Sequence, residues 1–151
     1  MPPKDTAAAN KRLMKRYIER IWNAGEFELI DRFLAPGFVG HDPLVEPRIG
    51  KEAVVGQLKM LHGDFKDLEF TIEDLVAEGD KVVARWSAKG RVPPKKDDII
   101  LTGITFARFE DGRIAETWLE RDASILTRYF FPGRFEELHA QFQREMRRRH
   151  R

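Results

Sequence analysis

The side chains best placed for chemistry fall in one stretch, Asp111-Gly112-Arg113-Ile114-Ala115-Glu116-Thr117-Trp118-Leu119-Glu120-Arg121-Asp122. Asp-Gly is a hairpin-turn signal, and the residues after it alternate as a strand does. Successive strand side chains point to opposite faces, so Ile114, Glu116, Trp118, Glu120 and Asp122 are expected on one face, the one a sheet turns to its core. Carboxylates held beside an indole there need a reason, and a ligand pocket supplies one. The alternative is an edge strand with Glu116 and Glu120 solvated and Asp122 capping a following helix.

Other chemistries find little support in the residues. Ser87 and Ser124 are the only serines, and neither lies in a nucleophile elbow. No Gly-rich phosphate loop or dinucleotide fingerprint occurs. The pairs His41-Asp42 and His62-Gly63-Asp64 have ligand-type side chains but no third ligand at a recognisable spacing, so no metal is expected. With no cysteine, thiol nucleophiles, disulfides and cysteine-bound metals are excluded.

Several elements must position these residues. Asp5 or Thr6 can cap a helix with Leu13, Met14, Tyr17, Ile18, Ile21 and Trp22 at helical spacing, closed by Gly25. A shorter helix is expected over Glu26 to Leu34, broken by Pro36-Gly37 before a short strand, Phe38-Val39-Gly40-His41, with a loop starting at Asp42-Pro43. Gly50 leads into a third helix that ends near Gly63. Strands follow from Leu68 to Val76, Lys81 to Lys89 and Ile99 to Phe109, with turns at Gly79-Asp80 and the Pro93-Pro94 loop. With the strand after Gly112 they make an antiparallel meander whose one face the helices cover: an α+β class, its curved sheet forming a cone. Phe135, Leu138, Phe142 and Met146 outline an amphipathic helix after Pro132-Gly133. The expected division is a domain over 1–131 and a helical extension over 132–151.

The 151 residues, 42% hydrophobic and 34% charged, fit one globular core. The net charge of +2 is concentrated at the carboxyl end, where six Arg face three Glu from Arg134 onward. A nucleic-acid binder spreads its cations over a folded face, so no nucleic-acid partner is expected. The first ten residues are too polar for a signal peptide and no run reaches membrane-spanning length, which makes the cytoplasm the default location and excludes a membrane partner.

The order helix, helix, short strand, helix, meander resembles the SnoaL-like polyketide cyclases of the nuclear transport factor 2-like superfamily, over roughly residues 10 to 130. The pieces that carry the resemblance are Trp22-Asn23-Ala24-Gly25, Phe33-Leu34-Ala35-Pro36, Val39-Gly40-His41-Asp42-Pro43, Asp67-Leu68, Glu78 to Trp86, and Gly112 to Trp118 with Asp122. The resemblance implies a cofactor-independent enzyme and gives Asp122, four residues after Trp118, the role of general acid and base in an intramolecular aldol closure. A carboxyl group in an apolar pocket has a raised pKa and suits that task. His41 matches a His frequent in the family and would bind a substrate oxygen or orient the acid.

Glu120 could share the pocket or lie in solvent. Of Arg85 and Trp86 only one can face inward, and Met60, Phe106, Trp22 and Phe38 are candidate cavity walls beside Trp118. The implied partners are a small hydrophobic molecule and a second copy in a homodimer. Because the superfamily also holds isomerases, dehydratases, epoxide hydrolases and noncatalytic binding modules, the fold alone does not choose among them. Thr117 in place of the frequent His, the short basic loop Arg91 to Asp98, and Thr127-Arg128-Tyr129-Phe130 at the end depart from the family pattern.

Overall fold

Thr6 begins the first helix, its Oγ1 accepting from the Ala9 amide at 3.0 Å, as an N-cap side chain does. The computed structural model describes residues 6–43 and 45–150, so Asp5, the other expected cap, lies outside the described residues. Helix α1 (Ala7–Tyr17) runs on as a wider π-helical segment, Ile18–Asn23. Asn10, Met14, Tyr17, Ile18 and Ile21 face the core at helical spacing, and Gly25, at φ 67, allows the chain to leave the helix.

The second expected helix is only a 3-10 segment, Phe27–Arg32, because Leu34 already opens strand β1 (Leu34–Asp42). Pro36-Gly37 does not end this strand; it shifts the pairing register between Leu34 and Val39 instead. The loop expected after Asp42 turns at once into another strand, β2 (Val45–Ile49). Helix α2 (Lys51–Asp64) follows from Gly50, whose φ of 84 suits a residue without Cβ.

The meander is formed as expected: β3 (Lys66–Glu78), β4 (Lys81–Arg91), β5 (Ile99–Glu110) and β6 (Arg113–Arg121). Asp111 and Gly112 both have positive φ, 50 and 74, as a tight two-residue hairpin turn requires. The sheet order is β2-β1-β6-β5-β4-β3; β1 runs parallel to β6 and all other neighbours are antiparallel. The α+β architecture of a curved sheet with amino-terminal helices is the expected one.

One face of this sheet is the core. Val82, Ala84, Trp86 and Ala88 on β4, with Ala107 and Phe109 on β5, are buried there against α1 and α2 residues such as Met14 and Leu58. A fully buried aromatic or aliphatic side chain contributes about 1.5–3 kcal/mol, so this layer carries most of the stability. Trp86, and not Arg85, faces inward: Trp86 is buried, while Arg85 pairs with Asp74 on the other face. Asn23 fastens the helix end to the outermost strand, its Nδ2 donating to the Phe70 carbonyl (2.8 Å) and its Oδ1 accepting from the Phe70 amide (2.7 Å). The side-chain amide thus takes the place of a neighbouring strand at an otherwise unpaired edge.

Contacts divide the chain at 121/122 into two units. The second holds α3 (Ser124–Phe130) and α4 (Pro132–Arg149), so the boundary expected after residue 131 falls between these two helices. Within it the Arg128 guanidinium stacks over the Phe135 ring at 4.3 Å, and α4 exposes Leu138, Phe142 and Met146. Among the described residues no helix is long and apolar enough to cross a membrane.

Candidate functional site

Strand β6 changes face at Ala115. Phe109 pairs with Ile114 and Arg108 with Glu116, which leaves Ala115 as an extra residue, a bulge. Beyond it the inward set is Thr117, Leu119 and Arg121, not the expected Glu116, Trp118 and Glu120. Ile114 is buried in the core, whereas Trp118 is 39% exposed and Glu120 is exposed on the outer face. The expected shared face of Ile114, Glu116, Trp118 and Glu120 is therefore not formed.

The outer face gathers several of the residues singled out in the sequence. His41 stacks on Trp118 with ring centres 5.4 Å apart, and Phe106 meets Trp118 edge-on at 5.7 Å. His41 Nε2 lies 2.9 Å from Glu116 Oε2, and Glu116 Oε1 lies 3.6 Å from Arg108. Register places Val76, Val83, Phe106, Trp118 and His41 side by side across five strands. Phe106 and Trp118 therefore wall no interior cavity, and Met60, 60% exposed on α2, does not either.

The interior holds a different set. On β1, Phe38, Gly40 and Asp42 alternate inward, while Val39 and His41 point out. The Asp42 side chain is fully buried, and two guanidinium groups converge on its Oδ2: Arg48 of β2 at 2.8 Å and Arg121 of β6 at 2.9 Å. The two arginines are 15% and 17% exposed, so the acid is sealed while its partners stay within reach of solvent. Arg121 Nε is buried with no acceptor. The phenol of Tyr17 is pushed up to about 12 by burial, with the nearby Trp22 and the Arg48 charge pulling the other way.

Aromatic rings line this side in series: Phe33 packs on Tyr17 (5.8 Å), Tyr17 on Trp22 (6.3 Å), Trp22 on Phe70 (5.0 Å) and Phe70 on Trp86 (5.8 Å). Phe38 and Trp86 belong to the buried core on this side, and Trp22 packs against it. Asn10 Nδ2 and Gln57 Oε1 are also buried without a hydrogen-bond partner. Unsatisfied buried polar atoms are costly.

Asp122 belongs to the second unit. Its Oδ1 accepts from the Ser124 amide (3.0 Å) and hydroxyl (2.5 Å), and its carboxylate is exposed. His62, the other candidate ligand, hydrogen-bonds through Nε2 to the Trp22 carbonyl at 2.6 Å, tying α2 to the end of the first helical segment. Among the described residues no three His, Cys, Asp or Glu side chains gather as a metal site.

The sequence reading missed Asp42, Arg48 and Arg121. Strand parity from Phe38 through Gly40 would have placed Asp42 inward. Arg121 was hidden by the bulge, and Arg48 by the unexpected strand β2.

Residues 12–128 match the SnoaL-like polyketide cyclase family. Among curated proteins there is no match. Among solved structures the chain is similar to TsrD from Streptomyces laurentii, with 30% identity and a TM-score of 0.71 over 82% of this chain and 95% of that one. It is similar to IdmH from Streptomyces antibioticus, a candidate polyketide cyclase, with 28% identity and a TM-score of 0.67 over 75% and 91% of the two chains. A Bacillus cereus protein of the same description gives 28% identity and a TM-score of 0.71 over 81% and 80%. With the curved sheet, the covering helices and the aromatic interior in place, the match over most of the chain settles its kinship: the protein belongs to the SnoaL-like polyketide cyclase family and has the nuclear transport factor 2-like fold.

Proposed function

We propose that the protein closes a ring in a small, largely apolar carbonyl compound by a cofactor-independent intramolecular aldol reaction. The observation that carries this reading is the family match over residues 12–128, beside which the inner side of the sheet holds a series of aromatic rings and the buried Asp42–Arg48–Arg121 cluster. Family membership supplies the reaction class. A base removes a proton from a carbon between two carbonyls, that carbon bonds to a third carbonyl carbon, and the resulting alkoxide takes a proton.

Two carboxylates compete for the role of proton carrier. Asp42 already holds two guanidinium groups on one oxygen, whereas Asp122 accepts from its neighbour Ser124 and, among the described residues, holds no cation. The family pattern favours Asp122 as well, and we assign the acid and base to it. His41 bonds to Glu116 beneath an exposed Trp on the outer face, so it is given no part in proton transfer here.

Asp122→Asn keeps an oxygen to accept from Ser124 but cannot carry a proton at a useful pKa. Assayed with linear substrates bearing 1,3-dicarbonyl groups, the variant should lose about a hundredfold in kcat while its melting temperature stays within a degree or two. Equal turnover by both proteins removes Asp122 from the mechanism. Absence of turnover in the wild type across cyclisation, isomerisation, dehydration and epoxide-opening assays favours a noncatalytic binding module.

The same reading includes a homodimer formed through the outer face of the sheet. Its support is the row of Val76, Phe106 and Trp118, 62%, 37% and 39% exposed, with Ile104 beside it at 47%. Contiguous apolar surface of this kind marks an interaction site. Sedimentation of the wild type should give twice the chain mass, and Trp118→Glu should shift it to the monomer at micromolar concentration. A wild type that sediments as a monomer rules the dimer out.

A further inference from the structure

We infer that helix α4 binds the surface of an anionic lipid bilayer, lying in the membrane plane with its apolar stripe down and its arginines among the lipid headgroups. The inference uses no part of the sheet and stands apart from the cyclase reading.

The stripe is the first argument. Phe135, Leu138, Phe142 and Met146 follow one another at intervals of three and four residues, so they share one side of the helix. Phe131, 65% exposed at the helix start, continues the same line. Phe142 is 58% exposed, Leu138 44% and Met146 38%, while Phe135 is partly covered by the Arg128 guanidinium. No residue of α4 is buried. An exposed apolar row of this kind marks contact with another apolar body.

Charge identifies that body. Arg144–Arg149 holds four arginines and one glutamate. Glu145 pairs with Arg149 at 3.5 Å, and at the other end of the helix Glu137 pairs with Arg134 at 3.1 Å. Among the described residues no carboxylate pairs with Arg144, Arg147 or Arg148. Arg147, Arg148 and Arg149 are consecutive, about 100° apart around the axis, so the cations surround the helix end and do not line one side of it. The rim of a protein groove meets only the cations it touches. A second copy of α4 brings the same excess of positive charge with it. An anionic bilayer attracts every one of these arginines, because its potential extends over a Debye length of about 8 Å, comparable with the width of a helix.

Depth is the third argument. An interfacial helix sinks its apolar face about 5–10 Å into the boundary between headgroups and acyl chains. The remaining sides of α4 then lie at headgroup level, where long arginine side chains turn toward lipid phosphates and bond them. Lying in the plane needs no spanning length, so this contact differs from the crossing for which no described helix is long and apolar enough. The sequence excludes a membrane partner on spanning length alone, and that ground does not extend to a helix on the surface.

The test is co-sedimentation of the full chain with vesicles of phosphatidylcholine alone and of equal parts phosphatidylcholine and phosphatidylglycerol. Half-maximal binding should need at least about tenfold less lipid with the anionic vesicles, and raising sodium chloride from about 0.05 to 0.5 M should remove most of that advantage. Arg147→Gln together with Arg148→Gln should raise the lipid required by about twenty-fivefold, fivefold for each charge. Phe142→Gln leaves the charge unchanged and should raise it about tenfold. All three side chains are exposed, so the melting temperature of each unbound variant should match that of the wild type.

A wild type that ignores both kinds of vesicle, or binds both alike, overturns the inference; the first result leaves an acidic protein groove as the counterpart of the helix. Without lipid, Phe142→Gln should leave the sedimenting mass unchanged. A fall in mass assigns the stripe to a second copy of the chain and also overturns the inference. Headgroup and salt dependence of the wild type decide the matter even where a variant does not fold.

Discussion

Asp42→Ala should cost about 3–5 kcal/mol of folding stability, the range found when one partner of a buried ion pair is removed. The side chain is fully buried and holds two guanidinium groups from strands on either side of its own. Without it, Arg48 and Arg121 face each other across β1 with no carboxylate between them. Like charges in that position repel, and at 15% and 17% exposure water replaces the lost bonds only in part. Three of the six strands, β2, β1 and β6, are joined by this one oxygen, so the damage should centre on that side of the sheet. Urea unfolding of wild type, Asp42→Asn and Asp42→Ala measures the effect, with Asp42→Asn intermediate because an amide oxygen still accepts. In the double variant Asp42→Ala, Arg121→Gln much of the loss should be recovered, since the repulsion goes with the second charge. A loss below about 1 kcal/mol for Asp42→Ala would show that both guanidinium groups relax into solvent.

The elements of the meander were legible because their signals are local. Gly79-Asp80 and Asp111-Gly112 turn the chain at fixed points, and alternation between them is clean through β4 and β5. The face of β6 was not legible. A bulge adds one residue and thereby exchanges every later side chain between faces, and nothing in Ile114-Ala115-Glu116 announces it. This single residue moved Trp118 and Glu120 from the expected pocket to the outer surface and brought Arg121 inside. Arg48 was missed for another reason: β2 is five residues long and contains Pro47, which argues against a strand except at an edge, where β2 indeed lies. The acid–base role of Asp122 followed from family pattern alone, and the apolar spacing of the first helix named Tyr17 and Trp22 as core without revealing the polar atoms they carry inward.

Gly103→Ala is expected to be nearly as damaging as the loss of Asp42, and the reason lies in how Trp86 is seated. A Cβ at position 103 would fall 2.3 Å from Cζ2 of the Trp86 indole and 2.8 Å from two more of its atoms. Gly103 pairs directly with Trp86 across β4 and β5, so the indole lies over the bare backbone of the next strand. Its Nε1 then reaches Thr105 Oγ1 at 3.0 Å, two residues along the same strand and face. An added methyl cannot be met by a small adjustment, because the indole is rigid and Phe70 packs edge-on against it at 5.8 Å. Trp86 must leave its place, losing the Thr105 bond and much of its burial, at a cost of about 3 kcal/mol, the upper part of the range for overpacked cores. A double-mutant cycle isolates the cause: in a Trp86→Leu background, Gly103→Ala should cost less than about 1 kcal/mol. Equal costs in the two backgrounds would mean that the glycine is needed for its backbone and not for the indole.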